Sequence, residues 1–316
     1  MASSLVASVT AVRSVEAKSC DMGICKEEAF VGTRYHAGIG ATNVGRISLG
    51  DMTVDRLGFG AMHLCGSHAW GKRWNRGIAR KVLHRVLDLG INLIDTADSY
   101  GPGTNEIQIA ESLYPYPAGL VVATKGGLLR PDRYSWVPNG RPEHLRRAIE
   151  GSLGRLKIER IDLYQLHAPD PEVPLAESIG ALADSQQAGK IRHIGISNVS
   201  VVELDQARRV APIVSVQNEY NLRKRRSEDV LAKCESLSIC FMPYFPLGGG
   251  GSLPALRVRR VADRHGIGVA QVALAWLLSR SPVVLPIPGT HSIEHMEENV
   301  RARKIRLTKE DLDELE

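Results

Sequence analysis

From Arg46 onward the chain alternates between two apolar patterns. Short, almost continuously apolar runs are separated by longer stretches with a single apolar face. The runs are LGFGAM (57–62), INLID (91–95), LVVATK (120–125), DLYQLH (162–167), IRHIGIS (191–197), IVSVQ (213–217), CFMPY (240–244) and VVLPIP (283–288). Strands of this kind are buried on both faces, as in a parallel sheet covered by helices. Between them, Ala79, Val82, Leu83, Val86 and Leu87 mark one face of a helix over 77–89. Leu145, Ala148, Ile149, Leu153 and Leu156 do the same over 142–157. Pro142 and Pro174 stand where helices start, and Gly90 and Gly189 where they stop. Ahead of the repeat, RISLGDMTV predicts a hairpin turning at Gly50-Asp51.

Eight strands, each followed by a helix, within about 270 residues predict a single (β/α)8 TIM barrel over residues 45–316, with the hairpin as an N-terminal cap. An open doubly wound sheet would require a G-x-G-x-x-G turn after its first strand, and GFGAMHLCG does not supply one. Residues 1–44 stand apart. Their start is rich in Ser, Ala and Val, with Arg13 ahead of the first acid, Glu16, and without the basic start and long apolar centre of a secretory signal. They read as a disordered extension or a targeting segment of plastid type. A cytoplasmic location is expected, with the plastid as the alternative.

Composition narrows the function classes. Hydrophobic residues make up 43% and charged residues 24%, an ordinary balance for a soluble domain. No apolar run approaches the roughly 20 residues that span a bilayer, so no membrane association is expected. Five cysteines without a CxxC pair fit a reducing compartment and argue against a zinc site. The net charge is +5, and its densest basic run, Arg223–Arg226, lacks the interleaved aromatics of a nucleic-acid surface. That mild positive balance suits an anionic cofactor.

In a barrel of this type the reacting groups gather at the C-terminal strand ends. Those ends carry Asp95, Lys125, His167, Ser197-Asn198, Gln217, Tyr244 and Gly289-Thr290, with Tyr100 five residues beyond Asp95. Singly, each has a structural explanation: a helix cap, a solvated lysine, a core histidine, a half-buried tyrosine. Jointly they must converge at one mouth, which points to chemistry. A phenol ionises near pH 10, a nearby lysine cation would lower that value, and a carboxylate would keep the lysine charged. A histidine alongside would orient a carbonyl oxygen. Such a group is suited to protonating an oxygen that is becoming an alkoxide.

DTADSYG, ATKGG, DLYQLH, GISN, VQNEYN and PIPGT with its later EEN occur in the order and spacing of the aldo-keto reductase superfamily, which the chain resembles from about Arg46 to its end. The details are most similar to a bacterial and plant-type subgroup that includes pyridoxal-reductase-like enzymes. The resemblance implies an NADP(H)-dependent reductase of aldehydes or ketones acting on a small-molecule carbonyl substrate. It implies Tyr100 as general acid, Asp95 and Lys125 tuning it, and His167 positioning the carbonyl. The nicotinamide cofactor would lie along Gly60 and Ala61, with Ser197, Asn198 and Gln217 at its carboxamide and Tyr244 on its ring. Phe245, Leu247 and the glycine run that starts at Gly248 (248–251) would follow its pyrophosphate; Gly289, Thr290, His295, Glu298 and Asn299 would hold its adenosine phosphate. Gly289 replaces a lysine found in many members and His295 an arginine, so NAD(H) is the alternative cofactor. Met62, Trp70 and Trp136, with Trp74, would rim the substrate. His63, Cys65 and His68 lack a fourth ligand, and no metal site is expected. The other functions to weigh are a cofactor-binding redox sensor, like the regulatory subunits of certain channels, and a Schiff-base aldolase using Lys125. A monomer or weak oligomer is expected.

Overall fold

The computed structural model of the chain describes residues 45–71, 76–249 and 255–316. The segment 1–44, Trp74, and Gly250 and Gly251 of the glycine run lie outside the described residues. Strands β1 (Arg46–Leu49) and β2 (Met52–Asp55) form the expected antiparallel hairpin, with Leu49 opposite Met52. Gly50 carries the turn at φ +64, a left-handed conformation that a glycine adopts without a steric penalty. There follow β3 (Phe59–Gly60), β4 (Leu93–Asp95), β5 (Val121–Gly126), a small antiparallel pair β6 (Leu128–Leu129) and β7 (Val137–Pro138), then β8 (Ile161–Leu166), β9 (Ile191–Ser197), β10 (Ile213–Gln217) and β11 (Cys240–Phe241). Seven of them make one parallel sheet in the order β3-β4-β5-β8-β9-β10-β11.

The eighth predicted run closes the ring without forming a regular strand. Residues 283–288 exchange backbone hydrogen bonds with β11: Phe241 N–H donates to Val283 O at 2.8 Å, and Leu285 N–H to Phe241 O at 2.8 Å. On the opposite side Gly58 N–H donates to Pro286 O and Gly60 N–H to Pro288 O. Two of the six residues are prolines, which accept but cannot donate, so the ladder is reduced to one bridge between Phe241 and Val284. Strand β3 is likewise shorter than its apolar run, because Ala61–Leu64 turns into a 3₁₀ helix. The chain folds as an α/β barrel.

Its helices are α1 (Arg76–Asp88), α2 (Thr104–Leu113), α3 (Pro142–Leu156), α4 (Leu175–Gln187), α5 (Val201–Arg208), α6 (Glu228–Leu237), α7 (Ala255–His265), α8 (Val269–Arg280), α9 (Ile293–Arg301) and α10 (Lys309–Leu315). Pro142 opens α3, and Gly90 and Gly189 follow α1 and α4 at positive φ. The period-two alternation of the strands sorts their side chains into two layers. Ile94, Val122, Tyr164, Ile194 and Val216 face outward and pack with Val82, Leu83, Ile149 and the other apolar helix positions. Leu93, Val121, Ala123, Leu163, Leu285 and Ile287 cluster separately, together with Leu49, Met52 and Val54 of the hairpin. That same alternation sets Asp95 and Lys125 on the inner side: Asp95 pairs in register with Ala123, and Lys125 with Gln165. None of the helices among the described residues is long and apolar enough to cross a membrane.

Candidate active site

Lys125 is completely buried, and its Nζ donates to Asp95 Oδ2 at 2.7 Å and to Thr96 O at 2.8 Å. The second carboxylate oxygen of Asp95 accepts from Gln217 Nε2 at 2.9 Å and from Gln165 Nε2 at 3.4 Å. The pair is thus held by neutral amides on the far side, as a buried ion pair requires if its lone pairs are to be satisfied. Tyr100 lies over it, with Nζ of Lys125 5.2 Å from the ring centroid. The chain reaches this position through a turn after β4, in which Asp98 N–H donates to Lys125 O and Tyr100 N–H to Ala97 O. His167 completes the group. Its ring stands 5.8 Å from that of Tyr100 at 78°, and its Nδ1 lies 3.2 Å from Ser99 Oγ.

A cavity of about 460 Å³ opens above these residues. Asp95, Tyr100, His167, Ser197, Asn198 and Gln217 line one part of it; Gly60, Met62, Trp136, Tyr244, Phe245, Leu247 and Gly289 line another. Asn198 is the hub on the β9 side. Its backbone sits at φ +60, a region in which asparagine is enriched, and N–H donates to Gln217 O. Its Nδ2 donates to His167 O at 2.9 Å, while its Oδ1 accepts from Tyr244 OH at 2.8 Å. Ser197 Oγ donates to Gln217 O at 2.6 Å. One planar ring is therefore flanked by side-chain amides and a hydroxyl at the cavity wall.

Electrostatics correct one expectation. Tyr100 is not pulled down by Lys125: burial raises its pKa well above the ordinary phenol value, and the Asp95 carboxylate adds to that, with Arg130 opposing. Asp95 at contact distance offsets part of the Lys125 charge, and burial outweighs what remains of it at the neutral phenol. Burial likewise lowers Lys125, with Asp95 opposing, and lowers His167 well below the ordinary imidazole value, helped by the charges of Lys125 and Arg130. At neutral pH the site therefore holds a neutral phenol and a neutral imidazole.

Other predicted residues stand outside the cavity wall. Ala61 and Gly248 flank it in sequence. Thr290 is buried and accepts from Ser292 N–H at 3.0 Å; Ser292 in turn caps α9 by accepting from His295 N–H. Asn299 is buried in α9, while His295 and Glu298 are exposed on it. Trp70 packs against Arg130, whose Cζ lies 5.3 Å from its ring. The wall also includes Gly249 of the glycine run, and His63, Pro246, Ile287 and Pro288, which the sequence did not single out for it. Gln165 and Ser99, which hold Asp95 and His167, were missed too, although both lie inside the motifs that drew attention.

Asp98 belongs to a different environment. Its Oδ1 has no hydrogen-bond partner, and neither does Tyr164 OH. Burial, with the Glu106 carboxylate nearby, raises Asp98 from 3.8 to about 8. Glu106 itself is occupied by Thr124 Oγ1 at 2.6 Å and Arg155 Nε at 2.6 Å. A carboxyl raised on folding binds its proton more tightly in the native state, so the contribution of Asp98 to stability is full below about pH 4 and is lost as pH rises toward 8. Asp98→Asn is expected to lose about 2–4 kcal/mol less than the wild type between pH 5 and pH 8.5, read from urea denaturation at both values.

The sequence profile of the aldo/keto reductase family matches residues 56–316. The chain belongs to the aldo/keto reductase family. It is an oxidoreductase of that family. An uncharacterized oxidoreductase of Schizosaccharomyces pombe is 43% identical over 279 residues, covering 88% of this chain and 91% of the relative. Pyridoxine 4-dehydrogenase of Escherichia coli is 41% identical over 276 residues, covering 85% and 96%. Among solved structures, an aldo/keto reductase from Klebsiella pneumoniae in complex with NADP and acetate matches with a TM-score of 0.71 at 29% identity, covering 83% of this chain and 90% of that one.

Proposed function

We propose that this aldo/keto reductase reduces an aldehyde or ketone to the alcohol with NADP(H), Tyr100 delivering the proton. The observation that carries this reading is the buried Lys125–Asp95 pair beneath Tyr100, with His167 beside it at the cavity wall. The cofactor fits the cavity chemically. Tyr244 presents an aromatic face, while Ser197, Asn198 and Gln217 present the hydroxyl and amides that a carboxamide-bearing ring requires. Gly60 and Gly289 give close backbone approach: a Cβ on Gly289 would lie 2.4 Å from Gly60 O, so only glycine keeps the two chain segments in contact. The Klebsiella relative binds NADP, which supports the same choice here.

When bound, NADPH supplies the hydride. The side chains supply the rest. Nδ1 of His167 lies 3.2 Å from Ser99 Oγ; with the hydroxyl as donor there, the imidazole proton sits on Nε2, where it would hold the carbonyl oxygen. Tyr100 stays protonated until that oxygen gains negative charge, because an alkoxide is a stronger base than even a raised phenolate. The phenolate then left behind is stabilised by Lys125, which Asp95 keeps cationic. The rings of Trp136, Tyr100 and His167 and the likeness to pyridoxine 4-dehydrogenase favour flat aromatic aldehydes of the pyridoxal type. We read the β1–β2 hairpin, whose apolar residues join the inner core, as the cap of the barrel.

The test is cofactor oxidation with a panel of carbonyls that includes pyridoxal and nitrobenzaldehyde, with NADPH and NADH in parallel. NADPH consumption matched by alcohol formation is expected. Tight NADPH binding without turnover on any carbonyl would favour the redox-sensor reading instead.

A further inference from the structure

Trp136 reaches the cavity from the segment between β6 and β7, and what holds it there is Arg130. The Arg130 guanidinium carbon lies 3.7 Å from the Trp136 ring centroid, which places the cation over one face of the indole. Arg130 is only 8% exposed and takes no part in the cavity wall. Its nitrogens donate to backbone carbonyls from two segments: Nη2 to His68 O at 3.0 Å and Arg133 O at 2.7 Å, Nη1 to Ala69 O at 3.4 Å. These partners are neutral, so the guanidinium keeps its charge. Trp70 flanks it on another side. Trp136 lines the cavity, and with one indole face covered by Arg130 the opposite face is the one left for a ligand. That ring stands at 82° to Tyr100 and at 70° to His167, their centroids 6.3 and 6.1 Å away. The three rings form an open corner at the reacting groups.

A cation against one face of an aromatic ring draws π density toward itself and makes the other face less negative. A flat ligand stacked on that other face would lie about 7 Å from the guanidinium, near enough for its charge to matter in a partly dry site. We infer that Arg130 is a positioning and specificity-determining residue, which fixes Trp136 as a stacking wall and biases the pocket toward flat rings bearing negative charge, such as an aromatic carbonyl with an ionised ring hydroxyl. This rests on the carbonyl-reducing reading above and deepens it. The groups around Arg130 leave its charge in place. Burial keeps the Tyr100 phenol neutral and pushes the Cys65 thiol up to about 12; His167 is held neutral. Asp132 is the anion whose charge acts on Arg130; it is exposed, so solvent screens it, and its carboxylate accepts from Tyr134 N–H, Ser135 N–H and Ser135 Oγ.

The test is calorimetric binding of two unreactive probes to the NADP⁺-loaded protein between pH 6 and pH 8.5. The probes are 4-nitrophenol, whose hydroxyl ionises near neutrality, and neutral 4-nitroanisole. In the wild type, 4-nitrophenol is expected to tighten with pH to roughly tenfold over 4-nitroanisole, whose affinity stays flat. Arg130→Met should flatten the pH response, Arg130→Lys should restore part of it, and Trp136→Leu should weaken both probes. A wild type that does not distinguish the probes, or an Arg130→Met protein that still does, overturns the inference. Should Arg130→Met fail to fold, a Trp136→Leu protein that binds both probes as the wild type does overturns it equally. Because binding is read without turnover, failure here stays separate from failure of the carbonyl panel.

Discussion

Tyr100→Phe is expected to lose about three orders of magnitude in kcat for carbonyl reduction while still binding NADPH. The substitution removes the phenolic proton and little else. The ring is 93% buried, and its contacts with Trp136 and His167 are made by the ring rather than by the hydroxyl. Neighbouring groups offer no substitute. Lys125 is committed to Asp95 and Thr96, and the His167 imidazole is neutral with Nδ1 against Ser99. Steady-state kinetics on the best substrate of the panel, with a fluorescence titration of NADPH, separate the lost proton from a lost binding site. Wild-type turnover in this variant would remove Tyr100 from the mechanism.

Asp95→Asn is expected to be the most damaging single change to stability, at about 3–5 kcal/mol. It leaves the Lys125 ammonium fully buried opposite a neutral amide, with Thr96 O as the remaining strong acceptor. It also asks Gln217 and Gln165, which now donate to a carboxylate, to face an amide instead. The double variant Asp95→Asn with Lys125→Met should recover much of the loss, since no charge is then left uncompensated, while activity stays low. Chemical denaturation of the single and double variants reads this directly. A single variant as stable as the wild type would show that Lys125 is not held as a cation by Asp95.

Much of the site was legible because barrel strands leave little reason for Asp95, Lys125 or His167 to end an apolar run. The two-residue alternation that buries Leu93 and Ala123 inside also fixes the side on which Asp95 and Lys125 must lie. Three things were not legible. The first is the sign of the shift at Tyr100, since proximity to a lysine suggests a lowered phenol, whereas burial and the neutralising carboxylate decide otherwise. The second is the eighth strand, whose apolar run contains two prolines that leave it a bridge rather than a ladder. The third is Arg130. It sits in an irregular segment without periodicity, and its importance comes from partners some 60 residues away in His68 and Ala69, a separation no local pattern records.

The central reading is that hydride enters a carbonyl carbon from the cofactor while this site supplies the proton. It is tested most directly by turnover of an aromatic aldehyde with NADPH deuterated at both C4 positions of the nicotinamide, the alcohol being read by mass spectrometry. One deuterium on the carbinol carbon, with one NADPH consumed per alcohol formed, is the expected result. Consumption of the aldehyde without label in the product, or its capture on Lys125 by borohydride as a reduced Schiff base, would contradict it.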